Sequence, residues 1–103
     1  MRQFDVHSNP SERTRSIIPY FVVLQSHLLA ASKLTVVAPL LRQDGKSAFT
    51  HTSVAVRLAD SDYIVLVGEL TSIDTQHLKR PVGSLSNYED EIRRALERVF
   101  TGF

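Results

Sequence analysis

The sequence predicts an α+β fold: several antiparallel strands, about five to seven, followed by one C-terminal helix, closed into a small barrel or sandwich. Three observations lead to this prediction. Runs rich in β-branched and aromatic residues, bounded by turn residues, fill most of the chain. A hydrophobic period of three to four residues distinguishes the last segment. With 103 residues, 43% of them hydrophobic and 22% charged, the chain fits one globular domain over residues 1–103.

The strand predictions follow the apolar runs in order. Alternation is clearest in SVAVRL, where Val54, Val56 and Leu58 lie on one face, and a four-residue turn, ADSD, predicts a hairpin with the next run. We expect loops at 8–16, 42–47, 59–62 and 79–83, where turn residues cluster. The predicted strands are QFDV (3–6), PYFVVLQ (19–25), KLTVVAPL (33–40), SVAVRL (53–58), YIVLVG (63–68) and ELTSID (69–74).

The final segment predicts an amphipathic helix, because its apolar residues recur at spacings of three and four. Ser86 and Glu89 have the spacing of a capping box, and Gly102 is a natural stop. The predicted apolar stripe consists of Tyr88, Ile92, Ala95, Leu96, Val99 and Phe100, and the predicted ion pairs are Glu89–Arg93 and Asp90–Arg94.

Composition excludes several classes of protein. The chain has no cysteine, which excludes a disulfide framework, thiolate metal ligands and a thiol nucleophile. A net charge of +1 argues against a domain that binds nucleic acid by charge alone. The start has no apolar core of signal-peptide length, and no run approaches the ~18 residues of a membrane span. We therefore expect a soluble cytoplasmic protein in a reducing environment.

No catalytic or metal-binding pattern is evident, and we expect no cofactor. The four histidines, His7, His27, His51 and His77, lack metal-ligand spacing, so we expect them on the surface or in loops. The serines lack a nucleophile motif. We expect Lys79–Arg80 to form a solvated turn and the helix arginines to form a salt-bridged exposed face.

Two segments do not fit an ordinary core. In LQSHLLAAS a polar triplet interrupts an apolar run and is followed by two adjacent leucines, of which we expect at most one to face the core. The chain also ends in LERVFTGF, which places two phenylalanines around a threonine and a glycine. Clustered exposed apolar residues indicate an interface. The alternative is that Phe100 and Phe103 fold back over the barrel as a lid.

Together these segments resemble the CcdB family, the toxin half of a bacterial toxin–antitoxin pair. The resemblance covers nearly the whole chain and is carried by QFDV with Asn9 and Pro10, IPYFVVLQSHLL, TVVAPL, YIVLVGELTSI and EIRRALERVFTGF. The most specific elements are VLQS followed by apolar residues, VVAPL, and the aromatic-x-Gly-apolar ending.

The resemblance implies a homodimer of SH3-like barrels, each with a C-terminal helix, whose chain ends meet at the two-fold axis. It implies binding to the A subunit of DNA gyrase, trapping of the cleaved-DNA complex without catalysis by the toxin, and neutralisation by a CcdA-type antitoxin. There is no direct contact with nucleic acid or membrane in this interpretation. The gyrase-binding positions that it implies are Ser26, Leu28, Leu29, Phe100, Thr101, Gly102 and Phe103.

Four positions depart from the family pattern. Thr101 stands where the best-known pattern has Trp, so a large ring that often dominates an interface is missing. His27 replaces an aspartate, and Glu97 replaces an asparagine near the helix end. Phe103 replaces a smaller aliphatic residue and offsets some of the lost area. Fold and dimer are therefore better supported than potent gyrase poisoning.

Two alternatives stay open. One is an endoribonuclease resembling the MazF and Kid toxins, which share the barrel; it needs an arginine and a histidine or acid that converge beside a basic groove. The other is a decayed toxin that only binds antitoxin.

Overall fold

The structure is a computed structural model that describes residues 1–43 and 50–102. These residues form seven strands and one C-terminal α-helix, which confirms the predicted α+β class. Residues 44–47 of the predicted 42–47 loop lie outside the described residues. The elements are β1 (Asp5–Ser8), β2 (Tyr20–Val23), β3 (Leu34–Arg42), β4 (Ser53–Leu58), β5 (Ser61–Leu66), β6 (Thr71–Asp74), β7 (Gly83–Ser84) and α1 (Glu89–Thr101).

The strands form one curled antiparallel sheet in the order β4-β5-β3-β2-β1-β7. The nine-residue strand β3 is its centre: one edge pairs with β2, and the other edge pairs with β6 and then with β5. A short 3-10 turn, Val67–Glu69, separates β5 from β6, so the predicted strand 63–68 ends earlier than expected. The connection lets one continuous segment cover the whole edge of β3.

The core lies between the sheet and α1. Ile92 and Ala95 of the helix are fully buried, and Leu96 and Val99 pack against the same cluster. The predicted helical stripe is confirmed for these residues but is wrong for Phe100, which is 72% exposed because, at about 100° per residue, it lies at the margin of the stripe centred on Ile92 and Val99. The lid alternative is thereby excluded for Phe100. Phe103 lies outside the described residues.

Two strand boundaries differ from the prediction because of left-handed backbone. The strand predicted at 3–6 begins only at Asp5, since Phe4 has φ of 70° and cannot continue an extended strand. The β4–β5 hairpin is confirmed, but its turn is shorter than the predicted four residues. Ala59 and Asp60 have φ of 50° and 65°, which is the two-residue geometry that matches the twist of paired strands.

The helix start also differs from the prediction. Ser86 begins a 3-10 turn, and no side chain caps the first helical residue Glu89, so the predicted capping box is wrong. Glu89 does accept a hydrogen bond from Arg93 Nε at 3.0 Å, which confirms that ion pair. In the described part of the chain, the predicted pair Asp90–Arg94 does not come within 4 Å.

His7 contradicts the expectation of surface histidines. It lies in β1 opposite Phe21, and only 1% of it is exposed. The reason is a second apolar cluster on the other face of the sheet, formed around Phe21, Val23 and Val37, which covers both faces at this point. Burial lowers the pKa of His7 below its usual range, because the charged imidazolium loses its hydration. The other three histidines are exposed, as predicted.

No helix in residues 1–43 and 50–102 is long and apolar enough to span a membrane.

Candidate functional site

Ser26, Leu28 and Leu29 belong to one short turn, which we call the QS turn (residues 26–29). Ser26 begins it, and its Oγ accepts a hydrogen bond from the Leu28 amide at 3.2 Å. The side chain of Gln25 holds the turn to β3. Its Nε2 donates to the carbonyls of Leu29 (3.2 Å) and Leu34 (3.3 Å), and its Oε1 accepts from the Val36 amide at 3.1 Å.

The QS turn presents both of its leucines to solvent. Leu28 is 86% exposed and Leu29 is 55% exposed, so neither faces the core. Both the nitrogen and the oxygen of the Gln25 amide hydrogen-bond to backbone, and these bonds hold the QS turn against β3 with its leucines in solvent. Sequence reasoning did not assign Gln25 a role; a glutamine that follows a buried strand and precedes a turn was the available signal.

The second segment is the helix end (residues 100–102). Phe100 points outward, and Thr101 is tied to the helix because its hydroxyl donates to the Glu97 carbonyl at 2.6 Å. Gly102 has φ of 78°, and its amide donates to the Arg98 carbonyl at 3.0 Å, which confirms the predicted helix stop. A Cβ on Gly102 would meet no atom within 4 Å, so only backbone conformation requires glycine here. Phe103 lies beyond the described residues.

The two segments lie at opposite ends of α1 within one chain. His27 of the QS turn lines a surface pocket together with Glu89, the first helical residue. Phe100 follows Glu89 by 11 residues, which at about 1.5 Å of rise per residue is about 16 Å along the axis. A single protomer therefore carries two separate apolar patches. The structure does not bring all the predicted contact residues into one surface.

The departures from the family pattern lie beside these patches. His27 is exposed in the QS turn, and Glu97 is exposed one helical turn before Thr101. Leu24, two residues before the QS turn, is linked to the helix through Gln3, whose Nε2 donates to the Leu24 carbonyl at 2.8 Å and whose Oε1 accepts from Arg93 at 3.4 Å. Glu97 thus places a carboxylate near the helix-end patch, and Gln3 ties the segment that leads into the QS turn to the middle of α1.

A third feature is a basic pocket that the sequence did not predict. It has a volume of about 410 Å³ and lies between the β1–β2 loop and the segment before β7. No carboxylate occurs among its described lining residues. Arg15 and His77, which are far apart in the sequence, both line this pocket. The pocket is lined by Ser8, Asn9, Pro10, Arg15, His77, Lys79 and Arg80.

The seven antiparallel strands and the C-terminal helix define a class of fold, a small barrel-like α+β domain. The chain belongs to the CcdB protein family, whose model matches residues 3–102. The resemblance inferred from the sequence is therefore confirmed. No curated protein matches the chain.

Several solved structures share the fold. An endoribonuclease from mycobacterial species has a TM-score of 0.73 and 13% identity, with 96% of this chain and 89% of that chain covered. The Mycobacterium tuberculosis toxin MazF-mt6 has a TM-score of 0.72 and 16% identity, with 96% of both chains covered. A mycobacterial endoribonuclease in complex with its cognate antitoxin has a TM-score of 0.74 and 13% identity, with 96% and 93% covered. At this level of identity the likeness shows the fold alone.

Proposed function

We propose that this protein is a gyrase-directed toxin: it binds the A subunit of DNA gyrase, traps the complex with cleaved DNA, and has no active site of its own. The observation that carries the proposal is the exposure of large apolar side chains at the segments that the family resemblance singles out. Of the six large hydrophobic residues that are exposed in the described chain, three are Leu28, Leu29 and Phe100. Side chains of this kind stabilise a complex when a partner covers them.

The homodimer is part of the proposal. Among the described residues, the helix end of one chain exposes a single large apolar ring, Phe100, so a larger apolar surface at this end needs a second copy. A two-fold axis near the helix ends would place two copies of Phe100 side by side and offer the same groups twice. Such a doubled patch suits a target that is itself two-fold symmetric.

A CcdA-type antitoxin is the second partner that we propose. Membership of the CcdB family supports it, and one structure with the same fold was solved in complex with its cognate antitoxin. An antitoxin segment that covers either apolar patch would compete with gyrase for the same side chains. The cytoplasmic location predicted from the sequence belongs to this proposal as well, because gyrase acts on the chromosome.

Expression in bacteria without antitoxin tests the proposal. We expect growth arrest with the full chain and normal growth with a variant that lacks residues 101–103. Ile17→Ala, an exposed apolar residue outside the predicted contacts, is the control and should remain toxic. Size-exclusion chromatography and circular dichroism of the truncated variant check that it still folds and dimerises. Unaffected growth with the intact, folded protein would favour the decayed-toxin alternative.

Endoribonuclease activity is a second candidate, because the basic pocket brings Arg15 and His77 together, which is the convergence that this alternative requires. Two structural neighbours are endoribonucleases, and their likeness supports a shared fold only. Incubation of purified protein with cellular RNA separates the candidates. Cleavage that Arg15→Ala abolishes would support ribonuclease activity, and intact RNA would exclude it.

A further inference from the structure

We propose that the basic pocket is a binding site for a phosphate ester, supplied either by a free mononucleotide or by the backbone of single-stranded RNA. The proposal concerns binding and requires no cleavage, so it does not depend on the ribonuclease candidate. It does not depend on gyrase binding either, because the pocket contains none of the predicted gyrase-contact residues.

The described residues that line the pocket include three basic side chains and no acidic one. Arg15, Lys79 and Arg80 bring three permanent positive charges to one cavity, whereas the whole chain has a net charge of only +1. The ion pairs within the described residues, Arg57–Asp62 and Arg93–Glu89, lie elsewhere. An anion in this cavity would have basic residues on both sides and no carboxylate among the described lining residues to displace.

One wall of the pocket is held in place by a buried side chain. Asn9 is 2% exposed and organises the β1–β2 loop: its Nδ2 donates to Thr14 Oγ1 (2.8 Å) and to the Ile18 carbonyl (2.9 Å), and its Oδ1 accepts from the Ser11 amide (2.9 Å). These bonds fold the loop back on itself. Arg15, the cation of this wall, is thereby held relative to β1 before any ligand binds, which lowers the entropic cost of binding.

Arg15 is positioned by carbonyls and not by an acid. Its Nε donates to the Asn9 carbonyl at 2.8 Å, and one terminal nitrogen approaches the Pro10 carbonyl at 3.5 Å. A guanidinium has five N–H donors, so at least three remain for a ligand. Because its orientation is set by neutral groups, the full positive charge also remains available for an anion.

The opposite wall is fixed by the sheet. The Val82 amide donates to the Val6 carbonyl at 2.7 Å, which holds the segment before β7 beside β1. Leu78 packs on the second apolar cluster at the other end of this segment. Lys79 and Arg80 are therefore held between two anchored residues, next to Ser8. His77 lines the same pocket and adds an imidazole whose ring nitrogens can hydrogen-bond a ligand.

A phosphate ester fits this arrangement better than a carboxylate does. The donors approach from two walls, and a phosphate presents oxygens in several directions, whereas a carboxylate presents two in one plane. The volume of about 410 Å³ leaves room for a sugar beside the phosphate. The lining contains no Phe, Tyr or Trp in the described residues, so we expect little preference among bases.

Two titrations of the purified protein test the proposal. NMR follows the binding of AMP, and fluorescence anisotropy follows the binding of a labelled short oligouridylate. We expect Arg15→Gln to weaken binding about tenfold, the size typical of one lost charge-assisted hydrogen bond. Lys79→Gln with Arg80→Gln should weaken it at least as much without altering the β1–β2 loop. Arg13→Gln is the matched control: it removes the same charge from the same loop outside the pocket and should change affinity less than twofold.

The two arms identify the source of the phosphate. Saturable AMP binding at the pocket indicates a mononucleotide site, and binding of the oligomer alone, with affinity falling as salt rises, indicates an RNA strand. Either result supports the proposal. It is overturned if neither ligand binds, if Arg13→Gln weakens binding as much as Arg15→Gln, or if a glutamate-rich peptide occupies the pocket while both phosphate ligands fail.

Discussion

The exposure of Phe100 sets the size of the change in stability and in gyrase affinity that Phe100→Ala should cause. The ring is 72% exposed, so Phe100→Ala should change the free energy of unfolding by less than about 0.5 kcal/mol. A fully buried Phe side chain contributes about 1.5–3 kcal/mol, and the exposed share of this ring leaves about 1–2 kcal/mol to be gained on binding. We therefore expect affinity for the gyrase A subunit to fall by a factor of about 6 to 40.

Isothermal titration of purified protein into the gyrase A subunit measures this effect. Ile17→Ala is a fair comparison because Ile17 is 67% exposed and lies outside both apolar patches, so its binding should match that of the unaltered chain. A thermal melt of each variant checks that stability is unchanged. Equal affinities for Phe100→Ala and Ile17→Ala would show that the helix end does not contact gyrase and would refute the reasoning.

Three further predictions concern pH, the hairpin and the QS turn. Burial lowers the pKa of folded His7 below 6.5, so the unfolded chain binds more protons than the folded chain as pH falls below that value. The free energy of unfolding should therefore drop there by up to about 1.4 kcal/mol per pH unit. Urea denaturation of His7→Leu should show a smaller drop with pH, and equal pH dependence of the two proteins would contradict the prediction. Asp60→Gly should raise stability by about 1 kcal/mol, since φ of 65° is strained for aspartate, and an unchanged urea midpoint would count against that strain. Gln25→Ala removes the three hydrogen bonds that hold the QS turn to β3, so amide exchange at Leu28 and Val36 should accelerate while exchange in α1 is unaffected. Uniform acceleration would indicate global destabilisation instead.

The sequence predicts correctly those elements that depend on the spacing of neighbouring residues. The strand Ser53–Leu58 and the helical face of Ile92 and Ala95 follow from spacing along the chain, and both are confirmed. β7 could not be predicted, because two residues become a strand only through pairing with β1. The burial of His7 depends on a second cluster drawn from distant segments, so the sequence pattern wrongly indicated an exposed residue.

The candidate sites also differ in how far the sequence predicts them. The QS turn and the helix end came from a family resemblance, and their role in binding gyrase stays a prediction. Their separation along α1 could not be predicted, because it depends on where the turn packs relative to the helix. The basic pocket could not be predicted because Arg15 and His77 are 62 residues apart in the sequence and their segments meet only through the tertiary fold.

The most direct measurement is the cleavage of plasmid DNA by gyrase in the presence of the purified protein. If the apolar tips dock on the A subunit and hold the cleaved complex, gyrase and plasmid should yield linear DNA after protein removal, and Phe100→Ala should shift the required concentration upward by the factor given above. Undisturbed supercoiling with no linear product, from a protein that is folded and still binds its antitoxin, would contradict the central claim.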